Sequence, residues 1–457
     1  MPSLTQLPWE LSFQVFSYLT LRDKVRLSAT CQAYRTHFAP AIFKTIRFTN
    51  DDAVARSALA AVGAYGQHTA RLEFAPVAWW DDEPVVPALV PAAAELLAGR
   101  HTPHARAAQI HFDFDLDNFE QWDEGGVGLD AFADSETESE VAAKEQKWKW
   151  RALMNETWAA LSENGHVRDL TVNDMIPKPT SAFRRPAFQS FLARLESATL
   201  RVWAGDHCGG WSAHLFNGYV EWLSSRHERM LGLHESFFCH MRGLRHLEIH
   251  AGPKGFLGGT GTHNIPLTAL EPDILPSLRS LTLTNCLVGR ELVDFIRGHA
   301  GVLTSVNVAD CASLGDKDGP GEHSISWATF FDQLYSMDPP IALTELVAGG
   351  AKILLTLRRM GGHVGEDQPH PDQEEDSDLR EICRQIKVQP GRKCFGYGSL
   401  HDSDGDFVRD VGRIVEGFRR GDDQRAYDCL MGLVRQNVAR AASSPREDLN
   451  IVQIASG

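Results

Sequence analysis

Residues 7–48 read LPWELSFQVFSYLTLRDKVRLSATCQAYRTHFAPAIFKTIRF, a run of short apolar-periodic segments separated by polar turns. Leu7, Leu11, Val15 and Leu19 recur every fourth residue with Phe16 and Tyr18 beside them, which predicts a helix carrying a broad apolar stripe. Pro8 suits the first helical position, where a missing N–H costs nothing. Thr20 stands three residues before Asp23 at capping-box spacing, so a second helix is expected to start there and run through Val25 and Leu27. A third follows Ser28 to Thr30, carries Cys31, Tyr34 and Phe38, and is expected to stop before Pro40. Three helices this short bury too little apolar surface to stand alone. Part of their apolar face must pack on the next domain, on a partner, or on both.

The residues of this stretch resemble an F-box. Leu7-Pro8, Glu10-Leu11, Phe16-Ser17-Tyr18-Leu19, Leu21-Arg22-Asp23 and Tyr34-Arg35 fall at the motif's positions. Thr30, Gln32-Ala33 and Tyr34 depart from it, standing where the family has a valine, a basic pair and a tryptophan. The resemblance implies docking on a Skp-family adaptor, with Leu7, Pro8, Leu11, Val15 and Leu19 as apolar anchors and Glu10 orienting the first helix.

Composition fits a globular chain: of 457 residues, 43% are apolar and 23% charged, enough for two or three domains. The most apolar later stretch, Val85 to Leu97, is broken by Pro87 and Pro91, and neither a leader peptide nor a membrane span is expected. Cysteines at 31, 208, 239, 286, 311, 383, 394 and 429 form no CxxC pair and read as reduced and mostly buried, in keeping with the cytoplasm or nucleus.

The net charge of −15 comes from two tracts. Asp113 to Glu140 holds eleven acidic residues and Glu366 to Asp378 seven, neither with any Lys or Arg, so the remainder stands near +3. Both tracts read as surface insertions, and Ser135, Thr137 and Ser139 lie among glutamates as candidate phosphorylation sites. Residues 1–50 carry six Lys or Arg against two acids, which favours an acidic partner. No basic, aromatic-laced nucleic-acid face is legible.

Between the tracts a pattern repeats. Leu244-Arg-His-Leu247-Glu-Ile249, Leu278-Arg-Ser-Leu281-Thr-Leu283 and Leu303-Thr-Ser-Val306-Asn-Val308 share LxxLxL, the last two followed by Cys286 and Cys311. Each LxL alternates inward apolar and outward polar side chains, as a strand does. Glu291 to Arg297, between the second and third runs, has helical spacing, which makes strand, helix, strand. Weaker runs lie at Ala70–Phe74, Ala108–Leu116, Val167–Val172 and Leu195–Trp203. The expected class is α/β: an F-box over 1–48 and an irregular leucine-rich-repeat-like solenoid over 49–350 with an acidic insertion near 117–145. An acidic linker over 351–378 and a helical C-terminal cap over 379–457 follow. This body resembles fungal F-box proteins with degenerate leucine-rich repeats, through Ser236-Phe-Phe-Cys-His240, Trp327-Ala-Thr-Phe-Phe331, Phe395-Gly-Tyr-Gly and Asp422-Asp-Gln-Arg-Ala-Tyr427.

Catalytic and metal motifs fail on spacing. His227-Glu228 and His234-Glu235 lack the second histidine of a zinc-protease motif; Leu231 and Phe238 occupy those places. Cys239, His240, His246 and His250 would meet at a metal only through the fold. Gly255 to Gly261 lacks the ending of a phosphate loop. Asp113, Asp115, Asp117 and Glu124 fall at calcium-loop positions, but Asn118 replaces the turn glycine, and Ile110, Phe112, Phe114 and Leu116 alternate as a strand. No metal, cofactor or catalytic residue is therefore expected.

The resemblance implies a non-catalytic substrate-recognition subunit of an SCF-type ubiquitin ligase, joined through the adaptor to a cullin and holding an unknown protein substrate on its repeats. Nucleic acid and membrane are not expected partners. Outward strand positions His246, Glu248, His250, Ser280, Thr282, Thr284, Ser305 and Asn307 would line the substrate face. The alternatives are an F-box protein working outside a cullin complex and a plain repeat scaffold.

Overall fold

The computed structural model describes residues 9–79, 86–114, 137–176, 179–202, 237–251, 270–315, 325–336, 339–350, 372–400 and 407–443. The chain divides into two units, residues 1–255 and 256–457.

The first unit opens with three helices, α1 (Trp9–Ser17), α2 (Leu21–Ser28) and α3 (Gln32–Ile42). Thr20 caps α2: its Oγ1 accepts from the Asp23 amide at 3.3 Å and donates to the Asp23 carboxylate at 2.6 Å. Helix α3 runs through Pro40 to Ile42, beyond the expected stop. Proline disfavours helix in the residue before it, but here it falls in the last turn, where few backbone bonds remain to be lost. Phe16, Tyr34 and Phe38 form the buried centre of the bundle, with Leu19, Leu27, Cys31 and Ile42 packed around it.

Beyond α3 the chain alternates strand and helix: β1 (Thr45–Thr49), α4 (Asp52–Tyr65), β2 (Arg71–Ala75), β3 (Val77–Ala78), α5 (Pro91–Leu97), β4 (Ala107–His111) and β5 (Asp113–Phe114). Next come α6 (Glu138–Lys147), α7 (Lys149–Ser162), β6 (Asp169–Met175), α8 (Pro186–Ala193), β7 (Ser197–Val202) and β8 (His246–His250). Strands β1, β2, β4, β6, β7 and β8 pair in parallel in that order, and β3 pairs β5. Every main strand alternates buried residues with more exposed ones, so one sheet face is apolar and closed while the other is polar. On the apolar side Trp158 of α7 meets Phe112, Phe183, Phe188 and Phe237 with ring centroids 5.7 to 6.0 Å apart.

Much of the first acidic tract lies outside the described residues, but its end is helical. Thr137 caps α6 in a full capping box with Glu140, and Val141 and Glu145 are buried beneath. The calcium-loop positions beyond Phe114 also lie outside.

The second unit contains β9 (Ser280–Leu287), α9 (Arg290–Gly298), β10 (Ser305–Ser313), α10 (Trp327–Ser336) and β11 (Glu345–Ala348). It continues with α11 (Asp372–Val388), β12 (Gly396–Leu400), β13 (Phe407–Arg409), α12 (Val411–Arg420) and α13 (Asp422–Ser443). Helix α11 begins inside the stretch expected to be linker. Strand β10 pairs β9 on one side and, on the other, β11 along its first half and β12 at its end, all in parallel; β12 and β13 are antiparallel. Cys286 and Cys311 are buried, their thiols donating to the Thr284 and Leu283 carbonyls, so the shared cysteine of the repeat satisfies strand backbone.

Candidate functional site

The N-terminal helices leave a large apolar surface uncovered. Phe16 is 3% exposed, but Leu11 is 49%, Val15 44% and Tyr18 88%, and Leu21 and Val25 on α2 are also exposed. Leu11 and Val15 are one helical turn apart, as are Leu21 and Val25, so each helix shows an apolar pair to solvent. No residue of helix α2 is fully buried; Leu27 is its inward contact with the bundle. Scattered apolar residues are common on surfaces; here five large ones fall within fifteen residues, on α1, α2 and the turn between them. Arg22 and Arg26 stand on α2 with Leu21 and Val25, and Arg35 Nε of α3 donates to the Ser28 carbonyl at its end.

Leu7 and Pro8 lie outside the described residues, as does the Glu10 side chain. Leu11 and Val15 are on the open face. Leu19 instead packs against the Phe16, Tyr34 and Phe38 centre, half-buried.

Residues 4–49 match the family described as F-box-like. The N-terminal helices are thus those of an F-box-like domain. No curated protein matches the chain. F-box domains generally bind Skp-type adaptors, and the proteins that carry them are generally non-catalytic adaptors. The match ends at Thr49, the last residue of β1, so the F-box-like domain supplies the first strand of the parallel sheet. Phe43, in the turn between α3 and β1, stacks on Tyr65 of α4 at 4.3 Å and ties the domain to the first helix beyond it.

The outward strand positions sort by unit. In the first, His246, Glu248 and His250 stand on the polar face of β8, with His250 Nε2 and Glu248 Oε2 3.3 Å apart. Strand register extends that face to residues outside the three clear repeats: Arg47, Glu73, Gln109, Thr171, Thr199 and Glu248 form one row across the sheet. The weaker LxL-like runs hold that signal, since most of these residues are their polar alternates. In the next row His111 and Asp174 are 2.7 Å apart, and Arg201 donates to Asn173 at 2.8 Å. In the second unit Ser280 is opposite Ser305 and Thr282 opposite Asn307, while Thr284 is opposite Asp310 because the register shifts after Asn307. Ser305 is engaged by Glu345 at 2.8 Å.

A cavity of about 660 Å³ in the second unit is lined by Arg413, Arg420, Asp422, Asp423, Ser326 and Tyr397, among others. Its arginines are matched by carboxylates: Arg413 by Asp410 at 3.4 Å, Arg420 by Asp422 at 2.8 Å and Glu416 at 3.2 Å, and Arg425 by Asp422. Buried Asp423 accepts from Tyr397 Oη at 2.9 and 3.0 Å and from the Ala328 amide at 2.9 Å, and burial pushes its pKa up. These bonds join α10, β12 and α13, which is structural work. Among the described residues no group of three or more His, Cys, Asp or Glu is placed to hold a metal, and no helix is long and apolar enough to cross a membrane.

Proposed function

We propose that this protein is the substrate-recognition subunit of an SCF-type ubiquitin ligase. The observation that carries the reading is the pair of uncovered apolar turns on the F-box-like domain, Leu11 with Val15 and Leu21 with Val25. Leu7, Pro8, Glu10, Leu11 and Val15 anchor the Skp-family adaptor, which brings the cullin, and Leu19 supports them from within the bundle.

The remainder acts as an irregular leucine-rich-repeat-like solenoid that holds a protein substrate. In the first unit the main strands pair in parallel in chain order and present a polar sheet face, which supports this reading. His246, Glu248 and His250, and in the second unit Ser280, Thr282, Thr284, Ser305 and Asn307, belong to the substrate surface. The chain does no bond chemistry; it raises the local concentration of a target lysine and orients it. It works in the cytoplasm or nucleus.

Purification of the tagged chain from cells tests this. The reading expects adaptor and cullin together in the eluate, and proteins that accumulate when Leu11 and Val15 are replaced by aspartate. Adaptor without cullin would move the protein outside the ligase, and neither would remove the reading.

A further inference from the structure

The parallel sheet of the first unit carries a run of basic residues along one edge. Where strands enter it, their backbones align step by step: the Arg71 amide donates to the Lys44 carbonyl, Ala107 to Ala70, Asp169 to Arg106, Ser197 to Arg168 and His246 to Glu196. Lys44, Arg71, Arg106, Arg168, Arg242 and Arg245 therefore stand along one edge. Arg242 joins through its turn, since a Cβ on neighbouring Gly243 would lie 2.9 Å from the Ala193 carbonyl and 3.3 Å from that of Leu195. Arg194 adds a seventh positive charge, and Asp169 and Glu196 are the acids interleaved with them. The opposite edge, where strands leave, is mixed, with Asp51, Asp52, Asp113 and Asp174 offset by Arg201.

Structural duties account for part of the basic edge. Arg168 donates to the Gly165 and Val167 carbonyls, Arg194 to that of Asn164, and Arg106 meets Glu196 at 3.2 Å. Lys44, Arg71 and Arg245 are exposed and have no side-chain hydrogen bond or ion pair among the described residues. So much like charge on one edge repels itself; an acidic occupant would relieve it.

We infer that this edge docks an extended acidic peptide segment of the recruited protein. Five strand steps of about 4.8 Å make an edge of about 24 Å, the span of about seven extended residues. Asp169 and Glu196 interrupt the row and would repel a continuous phosphate backbone, and Phe43, the aromatic next to Lys44, already stacks on Tyr65. A peptide can set neutral residues against those two acids. The inference leans on the recruiter reading for the peptide's owner, and the contact itself stands without it.

The test is fluorescence anisotropy with the full chain, a labelled Asp/Glu decapeptide, its Asn/Gln counterpart and a ten-nucleotide oligouridylate. The acidic peptide is expected to bind, to weaken as salt rises, and to bind at least about tenfold tighter than the neutral one. The triple variant Arg71→Glu/Arg242→Glu/Arg245→Glu should lose at least about tenfold, while Arg185→Glu, outside the row, loses nothing and Arg71→Ala loses part. Equal binding by wild type and triple variant overturns the inference, as does oligouridylate binding more tightly than the peptide and losing affinity in that variant. Adaptor binding is measured on the same samples. Its absence in wild type would remove the ligase reading and leave the peptide result intact.

Discussion

Phe16 of α1 meets Tyr34 of α3 edge to face, with ring centroids 5.6 Å apart, and the same ring contacts Phe38 at 4.9 Å. The apolar residues in and just after α1 are thereby split between two duties: Phe16 and Leu19 hold the bundle together, and Leu11 and Val15 face outward.

Phe16→Ala should therefore melt the bundle. Truncating a buried phenylalanine costs about 3 to 5 kcal/mol, and a bundle this small has little beyond that in reserve. Hydrogen exchange of residues 9–42 is expected to lose protection while β4 to β7 keep theirs. Unchanged protection across α1 to α3 would contradict the packing described.

Asn164 is buried and serves three backbone groups. Its Nδ2 donates to the Leu97 carbonyl at 3.0 Å, and its Oδ1 accepts from the His166 and Val167 amides at 3.0 and 3.3 Å. Asn164→Ala leaves these unsatisfied and should cost about 3 kcal/mol, read from the urea midpoint at constant slope. Gly99→Ala should also destabilise: its φ is +70°, and a Cβ there would lie 2.3 Å from the Asn164 side chain. Midpoints equal to wild type would show that the buried amide is not a support.

Asp423 gives the second unit a pH signature. Burial is the main cause of its raised pKa, opposed by hydrogen bonds from Tyr397 and the Ala328 amide. A carboxyl that holds its proton more tightly when folded stabilises most while protonated. Stability should fall as pH rises from the ordinary value of 3.8 through the folded-state value. Asp423→Asn should flatten this decline when unfolding of α13 is followed from about pH 4 to about pH 7. A decline of equal steepness in the variant would assign it to other groups.

Local signals in the sequence mark the strands and several helices. The LxL runs form β8, β9 and β10, the weaker ones β2, β4, β6 and β7, and the spacing of Val411 to Phe418 forms α12. Helices α4, α5 and α7 escape a periodicity reading, because their alanines and tryptophans show no single apolar stripe. Trp150, Arg151, Ala152, Leu153 and Met154 of α7 are all buried in succession, which erases the period of a surface helix. The outward pair Leu11 and Val15 is legible as part of a stripe, whereas the inward turn of Leu19 depends on Phe38, nineteen positions on. The basic edge is not legible at all. Its charges come from separate strand entries, and only parallel register sets Lys44 and Arg245 along one line.

The central claim is that the outward face of α1 holds the Skp-family adaptor. Titration of purified adaptor into the full chain, wild type against Leu11→Asp/Val15→Asp, tests it most directly. Both residues are exposed, so the variant should keep the hydrogen-exchange protection of α1 to α3 and lose more than about a hundredfold in affinity. Adaptor affinity that survives both substitutions, with the bundle intact, would contradict the account.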